Sequence, residues 1–444
     1  MEVIGIIGLI VAIISVIYLS FKGLSMVVAA PLSALIIILC NQMDIFGSLI
    51  GPENSYMAGL AGFLIKNFGI FILGAILGQY MDKSGATVSI ANFILDKVGT
   101  ESAYKVLVAL TFIGALLTFG GISIFVVFFT LIPLARPIFK KLDINWKLLS
   151  IPLYLGAGTF TMSMIPGTPS VQNAIPTTTL GTSLTAAPVL GIISTVVMLG
   201  FGLWYMKYEL DKSQAKGEGF YSYLEGDTSH IEEDVVEHSD NDLPSFVTSI
   251  IPLVILIATI MIFSNVDNII LIALTMSIVL SAFLFKSYLP KQTEVLNAGA
   301  TGSVGSSFGA ASAVAFGAVL TSAPTFDAIK QAILNIPGPP LVSLAVATAI
   351  LSGVMAASGA IGTVITQLAP TYLSMGIPAE IIHRIVVIGG GVITVVPQSG
   401  VVLTFNNISG LDFKHGFKEA FIVSNGGFLL SLIVTVIVAQ IFYL

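Results

Sequence analysis

The sequence predicts an all-α, multi-pass membrane protein made of two inverted repeats, each with five transmembrane helices and one re-entrant hairpin. Three observations predict it. Charged residues make up 9% of the 444-residue chain and hydrophobic ones 55%, with a mean hydropathy of +0.98, whereas soluble domains carry about 25% charge. The apolar residues gather into long runs bounded by short polar segments, as in helices that need about 20 apolar residues to cross a bilayer. Breaks rich in Pro, Gly and Ser recur at matching places in the two halves of the chain.

The first run, Val3–Leu19, follows a single Glu2, with no basic segment before it and no small-residue cleavage site after it, so it reads as a retained span and not a signal peptide. Residues 24–40 and 59–81 give the next two spans, and 86–98 an amphipathic helix. Residues 105–136 are too long for one helix and hold Gly120-Gly121 at their middle. Each half of about 15 residues is roughly 22 Å of helix against a hydrocarbon core of about 30 Å, which fits a re-entrant hairpin. Spans at 148–165 and 187–205 follow, separated by a Pro/Gly-rich break.

The second half repeats this order: spans at 246–263 and 269–285, a small-residue helix at 303–319, an amphipathic piece at 325–334, and an apolar run at 341–375 interrupted at Ser358-Gly359. The spans 379–394 and 417–444 flank a second break around Pro397. Ser123 precedes Pro166 by 43 residues, and Ser358 precedes Pro397 by 39. Residues 1–206 thus form the first repeat, 207–244 a linker, and 245–444 the second repeat. The linker holds eleven acidic and three basic residues from Lys207 to Asp242, a net −8, so the whole-chain charge of −6 belongs to this one connector. Its composition reads as a flexible cytoplasmic link.

Five crossings per half put the halves in opposite orientation. With both termini outside, fifteen Lys and Arg fall in the cytoplasm, and only Lys66, Lys330 and Arg384 fall outside. This asymmetry follows the positive-inside rule and places the protein in the cell's inner (plasma) membrane.

Non-helical backbone at membrane depth survives only where it is buried in protein or lines a wet cavity. The first break runs from Ile165 to Thr179 and contains Pro166, Gly167, Thr168, Pro169, Ser170, Asn173 and Pro176. The second contains Pro397, Gln398, Ser399 and Gly400, then Asn406 and Asn407. The hairpin tips add Gly120, Gly121 and Ser123 on one side and Ser358, Gly359 and Thr363 on the other. Half-helices aim their positive N-termini at an anion, and unwound carbonyls can hold a coupling cation. The expected substrate-binding residues are therefore Gly120, Gly121, Ser123, Gly167, Thr168, Ser170, Asn173, Ser358, Gly359, Thr363, Gln398, Ser399 and Asn406. For any one of them, helix packing or bonding back to its own backbone is an equal reading; the four breaks together, paired across the halves, point to a ligand. Gly74, Gly78 and the run 307–318 read as helix-packing positions, and Asp82, His383 and Arg384 as helix-end charges.

Other classes are excluded by what the sequence lacks. One cysteine, Cys40, and four scattered histidines give no disulfide, metal cluster or haem site, and no nucleophile with a base sits at membrane depth, so an enzyme is not expected. No cofactor and no nucleic-acid partner is expected. The partners are a small organic anion, a coupling cation and membrane lipid.

The stretches 71–78 and 82–86, the Pro166-Gly167-Thr168-Pro169 break, and Pro397-Gln398-Ser399-Gly400-Val401-Val402 leading to Ser409-Gly410 resemble the gluconate permease family of the ion transporter superfamily. The resemblance covers nearly the whole chain apart from the linker. It implies proton symport of a sugar acid or a short hydroxy acid, an elevator-like movement of the hairpins and breaks past a scaffold, and a homodimer. This chain departs from the family in having Met162-Ser163-Met164-Ile165 where a histidine stands beside the first break, and a less polar second break. The departures open a sodium-coupled symporter or uniporter of 3-hydroxybutyrate-like carboxylates as the alternative.

Overall fold

The computed structural model describes residues 2–22, 24–98, 102–223, 243–263, 266–326, 328, 331, 336–396 and 399–444. Among these residues it is helical throughout, with no strand. The first half contains α1 (Glu2–Phe21), α2 (Met26–Cys40), α3 (Ile45–Ile50), α4 (Tyr56–Lys83), α5 (Ala86–Val98), α6 (Ala103–Phe119), α7 (Ile124–Lys141), α8 (Ser150–Gly158), α9 (Phe160–Ser163), α10 (Val171–Leu180) and α11 (Pro188–Ala215). The second contains α12 (Phe246–Ile262), α13 (Ile269–Leu284), α14 (Gln292–Ser322), α15 (Pro340–Thr363), α16 (Ala369–Ser374), α17 (Ala379–Gly389), α18 (Gly400–Ser409), α19 (Phe413–Phe421) and α20 (Gly427–Phe442). Four helical runs, Tyr56–Lys83, Pro188–Ala215, Gln292–Ser322 and Lys414–Phe442, are long and apolar enough to cross a bilayer on their own.

The helices pair in a reciprocal pattern. α1 packs on α2 as α12 packs on α13; α2 lies against α14 as α13 lies against α4; and α4 and α14 form the largest contact. The same exchange holds around the breaks: α6 with α8 and α15 with α17, α7 with α18 and α10 with α15. α11 and α20 close the second set. Small residues permit the α4–α14 approach: a side chain on Gly59 would meet the Ala315 backbone, and one on Gly299 the Ile76 backbone. Gly74, read from sequence as a packing position, faces open space, so close packing uses other glycines of the same pair.

The first hairpin is α6, a tight turn and α7. Gly121 sits at φ +83, a conformation that L side chains rarely adopt, and the Ser123 hydroxyl caps α7 by accepting from Phe125 N. The second hairpin is less obvious, because the backbone stays helical across Ser358-Gly359, from Pro340 to Thr363 and on through a π-helical turn, Val364–Leu368. Yet the Ser343 and Tyr372 hydroxyls are 2.9 Å apart, whereas 29 residues of straight helix would separate them by about 43 Å. Gly353 approaches Ile393 and Ile361 approaches Gly390 in the same span, so the chain reverses between Gly353 and Ile361, bracketing the expected tip.

Three expectations need correction. The polar run starting at Lys207 is not loop from its first residue: α11 continues to Ala215, with Glu209 and Ser213 buried. The small-residue helix read as 303–319 spans Gln292–Ser322. The acidic stretch 224–242 and most of the amphipathic piece 325–334 lie outside the described residues.

Candidate functional site

Two cavities lie along the broken helices. The larger, ≈ 200 Å³, is walled by Ile124, Tyr154, Gly158, Met162, Ser163, Gln172, Ala357, Ser358, Val387, Gly391, Thr394, Val395, Ser399, Val401, Ser424 and Phe428. Ile124 opens α7, Gln172 lies in the first turn of α10, and Ser399 and Val401 stand at the start of α18. Three helix N-termini and the reversal of the second hairpin therefore meet at one cavity. Among the described residues its walls carry hydroxyls, one carboxamide and apolar groups, and no Lys, Arg, His, Asp or Glu. Helix N-termini offer unpaired N–H groups and positive partial charge, so this is a setting for an anion held without a fixed countercharge.

Each broken helix contributes differently. The first break is closed by its own side chains. Gly167, at φ +85, sends its N–H to Leu184 O (3.1 Å), and the Thr168 hydroxyl donates to Thr161 O (2.5 Å). The Ser170 hydroxyl donates to Met162 O and accepts from Asn173 N at 3.2 Å, capping α10. Asn173 Nδ2 donates to Thr168 O (3.0 Å) and Leu184 O (2.8 Å), while its Oδ1 faces His383 Nε2 (3.1 Å) and accepts from Arg384 Nη1 (3.4 Å).

His383 and Arg384 are the main surprise. Both are fully buried and not exposed helix-end charges. Arg384 Nε and Nη2 donate to Ala186 O at 3.1 and 2.6 Å, and Nη1 donates to Ser163 O at 2.9 Å. The His383 ring meets the Thr182 hydroxyl at 2.7 Å. Together they fasten α17 to the segment joining α10 and α11, supplying donors that the interrupted backbone lacks.

The second break relies on a distant helix. Asn425, in the π-helical turn Ile422–Gly426 between α19 and α20, accepts from Val395 N (3.1 Å) and donates to Val395 O (3.0 Å), imitating a strand partner. Ser399 caps α18 by position, but its hydroxyl makes no cap bond and faces the cavity. α10 and α18 otherwise match: ten residues each, a serine before the first, and a left-handed glycine after the last, Gly181 at φ +67 and Gly410 at φ +70.

Of the thirteen sequence-predicted residues, Ser358 and Ser399 line the larger cavity, and Thr363 lines the smaller. Gly120, Gly121 and Ser123 form the first hairpin tip, where the two glycines pack on Leu253 and Leu256. Gly167, Thr168, Ser170 and Asn173 hold the break together and do not line the cavity. Gly359 lies beside the cavity-lining Ser358, Asn406 lies in α18 with a buried Oδ1 that has no described partner, and Gln398 is outside the described residues. Sequence reading missed Tyr154, Ser163, Gln172, Thr394 and Ser424. Tyr154 carried a usable signal: a tyrosine inside an apolar span must place its hydroxyl somewhere, and here the residue lines the cavity while its hydroxyl is buried with no partner among the described residues.

A bundle of apolar helices, interrupted at mid-course around a polar cavity without fixed charge, defines a membrane transporter, and comparison with known proteins gives its family. Residues 9–301 match the CitMHS family, described as citrate transporter, and the chain belongs to that family. It is 29% identical over 448 residues to a Bacillus subtilis (strain 168) protein described as the uncharacterized transporter YxjC, covering 92% of this chain and 93% of that one. The fold resembles the Alcanivorax borkumensis YdaH transporter, with a TM-score of 0.55, 16% identity, and 87% of each chain covered. The resemblance to gluconate permeases thus carries as far as transport within the ion transporter superfamily; the family is that of the citrate transporters.

Proposed function

We propose that the protein imports a small organic acid anion, a hydroxycarboxylate, by cation-coupled symport. The observation that carries this is the uncharged cavity onto which the starts of α7, α10 and α18 and the reversal at Ser358 converge. Carboxylate oxygens would take the free N–H groups of these turns. The Tyr154 hydroxyl, the Gln172 amide and the Ser358 and Ser399 hydroxyls would hold the rest of the molecule. Citrate, named by the family, is the first candidate; a gluconate-like sugar acid or 3-hydroxybutyrate fits the same donor set.

The proton is the coupling ion by resemblance. Sodium is the second reading, favoured by a cavity wall with oxygen ligands and, among the described residues, no acidic or basic side chain. The reciprocal helix pairing and the matched caps of α10 and α18 support two inverted repeats, 1–206 and 245–444, joined by an acidic linker. They also support an elevator in which the hairpins and broken helices move past α4 and α14. Asn41, Thr325 and the Gly5 carbonyl cluster at one end of the bundle, while Asp143, Lys147 and Glu218 cluster at the other. The charge distribution of the sequence supports an outer N-terminus, and the resemblance supports a plasma-membrane homodimer.

The test is uptake of labelled citrate, gluconate and 3-hydroxybutyrate into liposomes holding the purified protein, under an imposed pH or sodium gradient. Accumulation of one of the three above equilibrium is expected. Equilibration without accumulation would make the protein a uniporter, and no uptake of any small carboxylate would end the reading.

A further inference from the structure

The smaller cavity, ≈ 160 Å³, lies apart from the central one, in the groove where α4 and α14 face α10 and the returning arm of the second hairpin. It contains a charge and an unmet acceptor, neither of which packing explains. Lys66 is the tenth residue after Tyr56, about 15 Å along a helix that is otherwise apolar through this stretch. Lys66 is exposed and lines the groove, so its ammonium is open to an anionic ligand, and no carboxylate pairs with it among the described residues. Beside it, Asn67 is 2% exposed; its Nδ2 donates to Phe63 O at 2.9 Å, and its Oδ1 is buried with no described partner. A buried carbonyl oxygen left unmet costs about 1–3 kcal/mol, so a donor belongs there.

The remaining polar wall narrows the chemistry. The Thr178 and Thr366 hydroxyls spend their protons on Ile175 O and Gly362 O at 3.0 and 2.8 Å, so toward the cavity they present lone pairs. Together with Asn67 Oδ1 they place acceptors beside the Lys66 cation, and Thr179, Thr363 and Gln367 complete the polar wall. A plain carboxylate would leave Asn67 Oδ1 unmet, and a sugar without charge would leave Lys66 unmet. We infer that this groove is a second, outer binding site for a hydroxycarboxylate, with its carboxylate on Lys66 and its hydroxyl donating to Asn67 Oδ1. This rests on the proposed substrate class but not on the central cavity. The walls belong to α4 and α14 on one side and to α10 and the hairpin on the other, so the site exists only while these faces stand as they do here. It would load substrate in this state and release it when they slide.

Gly62 provides a probe, because it lines the groove and a Cβ built there meets nothing within 4 Å. The experiment is equilibrium binding of labelled citrate to purified full-length protein, with tricarballylate, the same tricarboxylate lacking the hydroxyl, as competitor. Ser399→Leu blocks the central cavity in a parallel set. In that background one class of citrate site is expected to persist. Lys66→Gln and Gly62→Leu should each weaken it roughly ten-fold or more, and tricarballylate should compete for it poorly. In otherwise wild-type protein both variants should raise the KM for uptake and leave kcat near its starting value. Unchanged binding in Lys66→Gln, equal competition by tricarballylate, or Lys66-dependent binding of phosphatidylglycerol instead of citrate overturns the inference. If uptake fails for every carboxylate while Lys66-dependent citrate binding remains, the transport reading falls and the outer site stands.

Discussion

The two interrupted helices stand at matching places in the halves of the chain and solve one problem, freed backbone groups inside a membrane protein, in different ways. The first is wired shut: Thr168, Ser170 and Asn173 bond to the break itself, and His383 and Arg384 reach in from α17. Among the described residues the second is held by Asn425, which bonds both backbone groups of Val395, and by the Ser352 hydroxyl, which accepts from Ile393 N, while Ser399 makes no side-chain cap bond and lines the cavity. The more polar break thus spends its side chains on its own backbone, while Ser399 of the plainer break lines the cavity. Polarity in a membrane break can be the sign of an internal repair as much as of a binding site.

The sharpest way to break this contrast is at Asn173 and Arg384. Asn173→Ala strands the Thr168 carbonyl and removes the Oδ1 partner of His383 Nε2 and Arg384 Nη1, and Arg384→Met strands the carbonyls of Ser163 and Ala186. Each stranded buried group costs about 1–3 kcal/mol, so both variants should lower the melting temperature in detergent and the yield of monodisperse protein. Normal yield and melting with transport alone lost would return these residues to the substrate site. Asn425→Leu comes next. It removes the pair of bonds to Val395, and a smaller loss of stability is expected, with a larger fractional loss of uptake, since Thr394, Val395 and Ser424 line the cavity. Ser399→Ala is the reverse case. Its hydroxyl makes no cap bond, so melting should change by no more than about 0.5 kcal/mol, the range of a substitution that breaks no buried partner, while the KM for uptake rises.

How much of this was legible in the sequence follows from the same contrast. Apolar runs and Pro/Gly interruptions report where helices stop, and they located α5 to the residue, the turn at Gly120-Gly121 and the first break; Pro397 and Gln398 of the second lie outside the described residues. Ser123 and Ser170 were legible as special but not as caps, because a serine before a helix reads the same whether its hydroxyl serves the backbone or a ligand. Arg384 reads as an end charge, since its position four residues after Glu380 at the start of a helix gives no hint of the carbonyls of Ser163 and Ala186 that fold onto it from some two hundred residues away. Tyr154 and the Lys66–Asn67 pair depend on helix rotation, which apolar spans of low amphipathicity do not encode. The turn at Ser358 could be read from glycine and serine alone, although the helix assignment runs through it from Pro340 to Thr363.

The smallest effect expected lies outside both breaks and serves as their control. Lys147, just before α8, pairs with Glu218 at 2.9 Å, and Asn145 Nδ2 and the Ser213 hydroxyl donate to the same carboxylate at 2.9 and 3.1 Å. The hydrogen bond from Lys147 is the main reason the Glu218 carboxyl ionises below its usual range, with burial opposing it and the Lys147 charge, Ser213 and Asn145 adding to it. A carboxyl lowered in the folded state stabilises it fully above the unfolded value, about 4.3, and loses that contribution as pH falls through the folded value. Melting of the wild type relative to Glu218→Gln should therefore show a constant advantage from pH 8 to about pH 5 that shrinks below it. Because the contact ties the end of α11 to the base of α8 and touches neither break, uptake at pH 7 should be nearly the same in both proteins. If Glu218→Gln reduced uptake as strongly as Ser399→Ala, the base of α8 would have to move during transport, and the distinction between a fixed first break and an accessible second one would no longer hold.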